Sequence, residues 1–287
     1  MHTVRWVGQQ LGLAPGTLRA WEQRYGVVRP TRSEAGYRLY DDDDVETLRA
    51  MAALVADGMQ PALAAEQVRS RGVARPRVDR LPAGLPEPAE LLAAGRNYDV
   101  RGLEAVLDAA FAAAGFEHVV DAWLVPTLVA VGDAWAEGSL DVSHEHFISS
   151  GVMRRLAAAF DAAGHPRGGR QVVTGVAPGA THEIGTLAFA TMLRRAGLRV
   201  THLGADLPRQ SWVEAVRATR PDAVVITVPR PVDGVAADAV LADLAIAAPR
   251  AARFLAGPGA TGEHALTGES LSAAADWLAD HLAGTPA

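Results

Sequence analysis

Cysteine is absent from the 287 residues, which excludes disulfides, thiolate zinc sites, cysteine-held iron–sulfur clusters and cysteine nucleophiles. Lysine is absent too, and all 27 basic residues are arginine. Beside the heavy alanine content this reads as a coding bias and carries no function. No apolar run approaches the ~18 residues needed to span a bilayer. The first twenty residues include Arg5, Trp6, Gln9 and Gln10 and hold no signal-peptide core. The expectation is a cytoplasmic chain with no membrane partner. Aromatics are few at 6%, yet 49% of the chain is hydrophobic and 21% charged. That is enough apolar material to bury real cores, so disorder is not the default. The length suits about two domains of ordinary size.

The net charge of −6 argues against a protein that coats nucleic acid uniformly. Its distribution is more informative. Residues 1–40 hold six arginines against Glu22 and Glu34, whereas residues 76–287 hold 17 arginines against 24 acids. A basic head on an acidic body implies that one end touches phosphate and the other does not.

Pro76, Pro82, Pro86 and Pro88 fall close together and cannot continue a helix, so 76–87 reads as a linker. The glycine-rich run from Gly164 to Gly169 marks a second boundary. The expected pieces are therefore 1–75, 88–166 and 167–287. In the first, helices are expected over Thr3–Leu11, Pro15–Tyr25 and Asp43–Gly58, with a small hairpin between Val27 and Tyr40. The acids Asp41 to Asp44 fit a helix start, where they complement the dipole. The middle piece reads as helical. Asp99 suits a cap for Val100–Ala114, and Asp141 or Ser143 one for a helix reaching Ala163. Glu117–Trp135 reads as a further helix kinked at Pro126. The last piece changes period. Apolar β-branched runs at Val172–Val176, Leu198–Leu203, Ala223–Val228 and Phe254–Ala256 alternate with amphipathic stretches, which is the pattern of βαβ units and a parallel sheet. Ligands of such sheets bind beyond the carboxyl ends of the strands.

Within the head, one helix ends at Leu11-Gly12-Leu13 and a second begins near Pro15. That is helix-turn-helix spacing, in which the second helix enters the major groove. The hairpin then presents Arg32, Arg38 and Tyr40, side chains long enough to reach phosphate. The run T-L-R-A-W-E-Q-R-Y-G from Thr17 to Gly26, followed by R-P-T-R-S-E-A-G-Y-R-L-Y from Arg29 to Tyr40, resembles the MerR family of winged-helix regulators. The resemblance implies dimeric binding to a near-palindromic promoter site. It places Thr17, Arg19 and Arg24 on the groove and Arg38 and Tyr40 on the wing. Leu18 and Trp21 read as core. The alternative for the arginines is an ordinary solvated surface with ion pairs to Glu22 and Glu34.

After the first strand of the last piece comes Ala180-Thr181-His182-Glu183-Ile184-Gly185. This resembles the D-x-H-x-x-G motif of cobalamin-binding domains, whose histidine ligates cobalt from below in place of the nucleotide base. His182 is then the cobalt lower axial ligand. Gly185, Gly204, Thr227, Gly257 and Gly259 match the glycines and hydroxyl of the strand-end loops. Ala180 departs from the motif's carboxylate, and loss of such a partner typically lowers metal affinity ~10–100-fold. Thr227-Val228-Pro229 and Gly257-Pro258-Gly259 also depart from the usual loops. The spelling G-x-G-x-x-G over Gly257–Gly262 is not read as a dinucleotide fingerprint, because it follows the last strand and Pro258 lacks an N–H.

Trp135, nine intervening residues, then Glu145-His146 resembles the W-x9-E-H signature of CarH/LitR-type cobalamin photoreceptors. Those regulators carry a MerR-like head, a four-helix bundle and a cobalamin domain in that order. The implied fold is multi-domain, α and α/β: a winged helix-turn-helix head, a four-helix bundle and a Rossmann-like parallel-sheet domain. The resemblance implies adenosylcobalamin as cofactor, with Trp135 covering its upper adenosyl group, Val142 beside it, Glu145 on the ribose and His146 completing the cap. It also implies promoter DNA as partner and a homo-oligomer, a dimer of dimers. Such a protein represses in the dark and releases DNA once light cleaves the Co–C bond. In well-known members a histidine that captures cobalt in the light follows the tryptophan; here the residue is Ala136. Two other readings stand beside this one. One is a regulator of the same build that binds cobalamin without responding to light, or binds another ligand. The other is a corrinoid carrier module of a methyltransferase, which the basic head disfavours.

Overall fold

Thr3 opens the first helix as its cap, accepting the Trp6 N–H at 3.4 Å. In the computed structural model, which describes residues 2–28, 30–32, 38–40, 42–56, 59–70, 84–266 and 268–284, the chain forms two compact units, Met1–Arg77 and Val78–Ala287. In the first unit a strand β1 (His2–Thr3) leads into helices α1 (Val4–Leu11) and α2 (Pro15–Tyr25). Gly12 and Gly26 end these helices at φ 64° and 58°, the left-handed conformation glycine adopts without strain. Strands β2 (Thr31–Arg32) and β3 (Arg38–Tyr40) pair antiparallel, and β1 joins on the other side of β3. Helices α3 (Asp42–Ala56) and α4 (Pro61–Ser70) follow. The core gathers Val7, Leu18, Trp21, Tyr40, Leu48 and Met51. The helices and hairpin match the expected ones, whereas β1 and α4 were not anticipated. A two-residue strand has no periodicity to detect, and α4 follows Gly58-Met59-Gln60 with only short apolar spacing.

The second unit begins with helices α5 (Pro88–Arg96), α6 (Val100–Ala113), α7 (Phe116–Val119), α8 (Val125–Ala136) and α9 (Val142–Ala162). Asp99 and Asp141 cap α6 and α9 as expected, accepting backbone N–H groups of the first turn. The expected kink at Pro126 takes another form. Residues Val120–Leu124 widen into a π turn that joins α7 to α8, with the Val125 N–H donating to the Val120 carbonyl. Proline removes one i→i−4 donor and crowds the carbonyl before it, and a wider turn accommodates both. Counting α7 to α8 as one rod, this is a four-helix bundle. Trp123 is buried at its centre and donates its ring N–H to the Pro86 carbonyl at 2.7 Å.

The sheet follows: β4 (Gln171–Val176), α10 (Ile184–Arg195), β5 (Arg199–His202), α11 (Arg209–Thr219), β6 (Ala223–Thr227), α12 (Gly234–Ala247), β7 (Ala252–Ala256) and α13 (Leu271–Gly284). All four strands are parallel in the order β5-β4-β6-β7. On one face Trp212, Val216, Val240 and Leu244 pack on Val173, Val224 and Ile226. On the other, α10 is buried from Thr186 to Arg194, because the sheet covers one side of it and α9 the other. One continuous core therefore joins Leu91, Leu107, Trp123 and Ile148 of the bundle to Leu187, Phe189, Leu193 and Leu278. The boundary expected near Gly164–Gly169 is a connection inside one unit, since the bundle's buried face is completed by α10.

Candidate functional site

The carboxyl edge of the sheet is built by loops that follow β4, β5, β6 and β7. The β4 loop is held at both sides. The Val176 N–H donates to the Gly204 carbonyl and the Ala177 N–H to the Thr227 carbonyl, while the Gly179 N–H donates to Asp206 Oδ1 at 2.7 Å. These bonds lift His182 to the rim, where its side chain is exposed. Gly185 opens α10 with empty space where a side chain would stand. Gly204, at φ 80°, leaves its side-chain position to Glu183, whose Oε2 lies 3.3 Å from where a Cβ would be. Thr227 is half-buried at the end of β6. Gly257, at φ 99°, is exposed, and a Cβ there would sit 2.9 Å from the Val228 carbonyl oxygen. Gly259 corrects an expectation. It is buried, with the Arg230 carbonyl occupying the place of its missing side chain, so its role is to let two loops pack rather than to face a ligand.

The sequence reading missed one rim feature, the loop Arg230–Asp233. Asp233 is 7% exposed, and Arg230 grips it through Nε to Oδ2 (3.1 Å) and Nη2 to Oδ1 (2.9 Å). The hydrogen bonds from Arg230 hold the Asp233 carboxyl below its usual range, and the charge of His182 adds to that. Only the pairing of β4 with β6 brings these residues to one place. The spelling R-P-V-D-G signals a turn and nothing more.

The bundle's contribution comes from the end of α8 and the start of α9. Trp135 is 51% exposed, whereas Trp123 and Trp212 are fully buried. Val142 is 54% exposed. Glu145 accepts from Ser149 Oγ at 2.5 Å, and His146 stands in solvent with Nδ1 3.4 Å from Glu145 Oε2. His144 is engaged elsewhere: its Nδ1 accepts the Asp141 N–H at 3.1 Å, and its ring stacks on Tyr98 at 4.8 Å. Tyr98, at φ 49°, also hydrogen-bonds Ser143. The directions of α9 and α10 relate the two groups of residues. Arg194, at the end of α10, donates to the Phe160 carbonyl near the end of α9 at 3.0 Å. The carboxyl ends thus meet, and both helices start towards the sheet's carboxyl edge. At 1.5 Å per residue the longer α9 overshoots α10 by about 13 Å, which carries Val142 to His146 beyond the rim on the His182 side.

In the first unit, α2 presents Arg19 and Arg24 in solvent and Thr17 half-buried. Arg19 Nε donates to the Pro15 carbonyl at 3.1 Å, leaving its outer nitrogens outward. Leu18 and Trp21 are core, as expected. One wing expectation is corrected. Tyr40 is fully buried, because the alternation of β3 turns it into the core, and so it cannot reach phosphate. Burial, with the charge of Glu22, pushes its hydroxyl up to about 12. Arg38 is committed to Glu22 through Nε at 2.7 Å, which is the ion-pair alternative. The side chain of Arg32 lies outside the described residues.

Three family models match in succession: a MerR HTH family regulatory protein over residues 3–70, a B12 binding domain over 89–159, and a second B12 binding domain model over 170–279. The HTH-type transcriptional repressor CarH of Myxococcus xanthus is 34% identical over 99% of this chain and 98% of its own length. CarA of the same organism is 34% identical over 78% of this chain and 75% of its own. The chain belongs to the CarH/CarA family of MerR-type transcriptional repressors. It is a DNA-binding, cobalamin-binding regulator and not an enzyme. The monomethylamine corrinoid protein of Methanosarcina barkeri shares the fold of the CarH-type body, with a TM-score of 0.56 at 18% identity over 67% of this chain and 96% of that one. Among the described residues no helix is long and apolar enough to cross a membrane.

Proposed function

We propose that the ligand is adenosylcobalamin, held between the start of α9 and the carboxyl edge of the sheet, and that light acting on it changes oligomeric state and DNA affinity. The observation that carries this reading is Trp135, a half-exposed indole at the end of α8. A large flat side chain left in solvent is suited to stack on a flat ligand. The rim residues fit the group. His182 offers an exposed imidazole that would hold the cobalt, the open space at Gly185 would admit a broad ring, and the Glu145 carboxylate would accept hydrogen bonds from ribose hydroxyls. Val142 and His146 would complete the cover over the adenosyl group. Bound there, adenosylcobalamin supplies a cobalt–carbon bond that visible light breaks.

The chain's own part follows from these positions. With the adenosyl group in place, Trp135 and the first turn of α9 have a surface to pack on, and the bundle holds one arrangement. That arrangement would favour the dimer of dimers that occupies a near-palindromic operator and represses. Without it, the exposed indole loses its stacking partner and the bundle shifts. A dark titration with adenosylcobalamin, followed by absorbance, oligomeric state and operator affinity before and after green light, tests this. Tight binding, a light-driven spectral change and release of DNA are expected. His182→Ala is expected to lose the dark complex, and parent-like binding by that variant would sink the axial assignment.

A second reading, a cobalamin-binding regulator indifferent to light, is favoured by one observation. Ala136 follows Trp135, and His144 is tied up in the α9 cap, so neither offers a free imidazole. Binding with no change in oligomer or DNA affinity on illumination would select it.

A further inference from the structure

We propose that the cleft at the amino edge of the sheet, where the bundle's last helix joins it, binds a small oxyanion of the phosphate or phosphomonoester class. The cleft holds about 200 Å³ and is lined by His165, Gln171, Arg194, Arg199 and Thr201, with Pro166 and Val200. Its charged lining is wholly basic. It is remote from the site already described: Gln171 and Arg199 begin β4 and β5, whereas His182 lies beyond the opposite ends of the strands.

The central group is Arg194, whose side chain belongs to a residue only 8% exposed. Its guanidinium lies 3.4 Å over the Phe160 ring and donates to two backbone carbonyls, Phe160 O at 3.0 Å and Val200 O at 3.4 Å. Among the described residues no carboxylate pairs with it; Asp161 acts on it only through longer-range charge. Desolvation accordingly disfavours its charged form. A guanidinium removed from water normally has an anionic partner. Arg194 lines an open cleft together with a second cation, Arg199. Arg199 is exposed and anchored by Nε to the Gly169 carbonyl at 3.2 Å, so its outer nitrogens are held in place rather than swinging in solvent. Planar guanidinium forks suit the tetrahedral oxyanion geometry. The Thr201 hydroxyl, which accepts from Gln171 Nε2 at 2.9 Å, keeps its own proton to donate. Helix-dipole compensation explains why arginines end α10. It does not explain a cleft beside them, or the Arg199 and His165 side chains that arrive there from β5 and from the loop after α9.

The test is calorimetric titration of the full chain with inorganic phosphate, and separately with glycerol phosphate, at fixed ionic strength set by chloride. Saturable binding of one anion per chain is expected. Arg199→Ala and His165→Ala remove surface groups and should fold; each is expected to weaken binding by about tenfold or more, the usual size of a lost charge-assisted hydrogen bond. Arg250→Ala, an exposed arginine elsewhere in the same unit, is expected to leave binding unchanged. Tighter glycerol phosphate would identify a phosphorylated metabolite as the occupant, and tighter inorganic phosphate the free ion. Absence of saturable heat, or equal binding by the parent and Arg199→Ala, would overturn the proposal.

Discussion

Arg19 and Tyr40 sit on neighbouring elements of the head, yet they should behave oppositely in DNA binding. Arg19 is exposed on α2, so Arg19→Ala should weaken operator binding and reduce the dependence of log affinity on log salt by about one unit, as loss of one phosphate contact does. Tyr40 is in the core, so Tyr40→Phe should leave that slope unaltered. Affinity measured over a range of salt concentrations separates the two. In the body, His202 is a residue whose protonation bears on stability. It is half-buried beside Arg194, and desolvation and that charge both hold its pKa below 6.5, while Nδ1 meets Thr174 Oγ1 at 3.1 Å. The unfolded chain therefore binds the proton more readily than the folded one. Its contribution is complete above pH 6.5 and is lost as pH falls from there through the folded value. Denaturant titrations at pH 7.5 and 5.5 should show a smaller loss at the lower pH for His202→Gln than for the parent.

Among the elements, β4 and α11 show how closely the sheet faces are packed. A Cβ at Gly175 would stand 2.9 Å from the ring of the fully buried Trp212. Gly175→Ala should therefore lower stability by about 1–3 kcal/mol through overpacking, read as a shift in the denaturation midpoint with little change in slope. Most elements were legible because their signals are local. The period of the strands, Asp99 and Asp141 as caps, and the turn at Gly12 each act within a turn or two. The π turn before Pro126 was not. A proline announces a lost donor, but whether the helix kinks or widens depends on what packs beside it. Here Asp121, inside the widened turn, accepts the Ser272 N–H at the start of α13 at 3.3 Å, a partner 151 residues away.

The whole molecule has separate cores in its two units, and they should melt separately. Calorimetry should give two transitions, and cobalamin should raise only the one belonging to the body, by the mass action of a ligand that binds the native form. A single transition shifted as a whole would contradict this. The sequence by itself determined the order of the pieces, the helix-turn-helix spacing, the parallel sheet, and the motifs around Trp135 and His182. These are patterns of neighbours along the chain. Tertiary structure alone decided which way a side chain faces and what lies across from it. It turned Tyr40 inward, tied Arg38 to Glu22, buried Gly259 under Arg230 and left Trp135 in solvent. It also set the Arg230–Asp233 pair beside His182 and left the Arg194 guanidinium at a cleft with no carboxylate paired to it among the described residues. Burial and charge pairing are sums over residues distant in sequence, and no local pattern carries them.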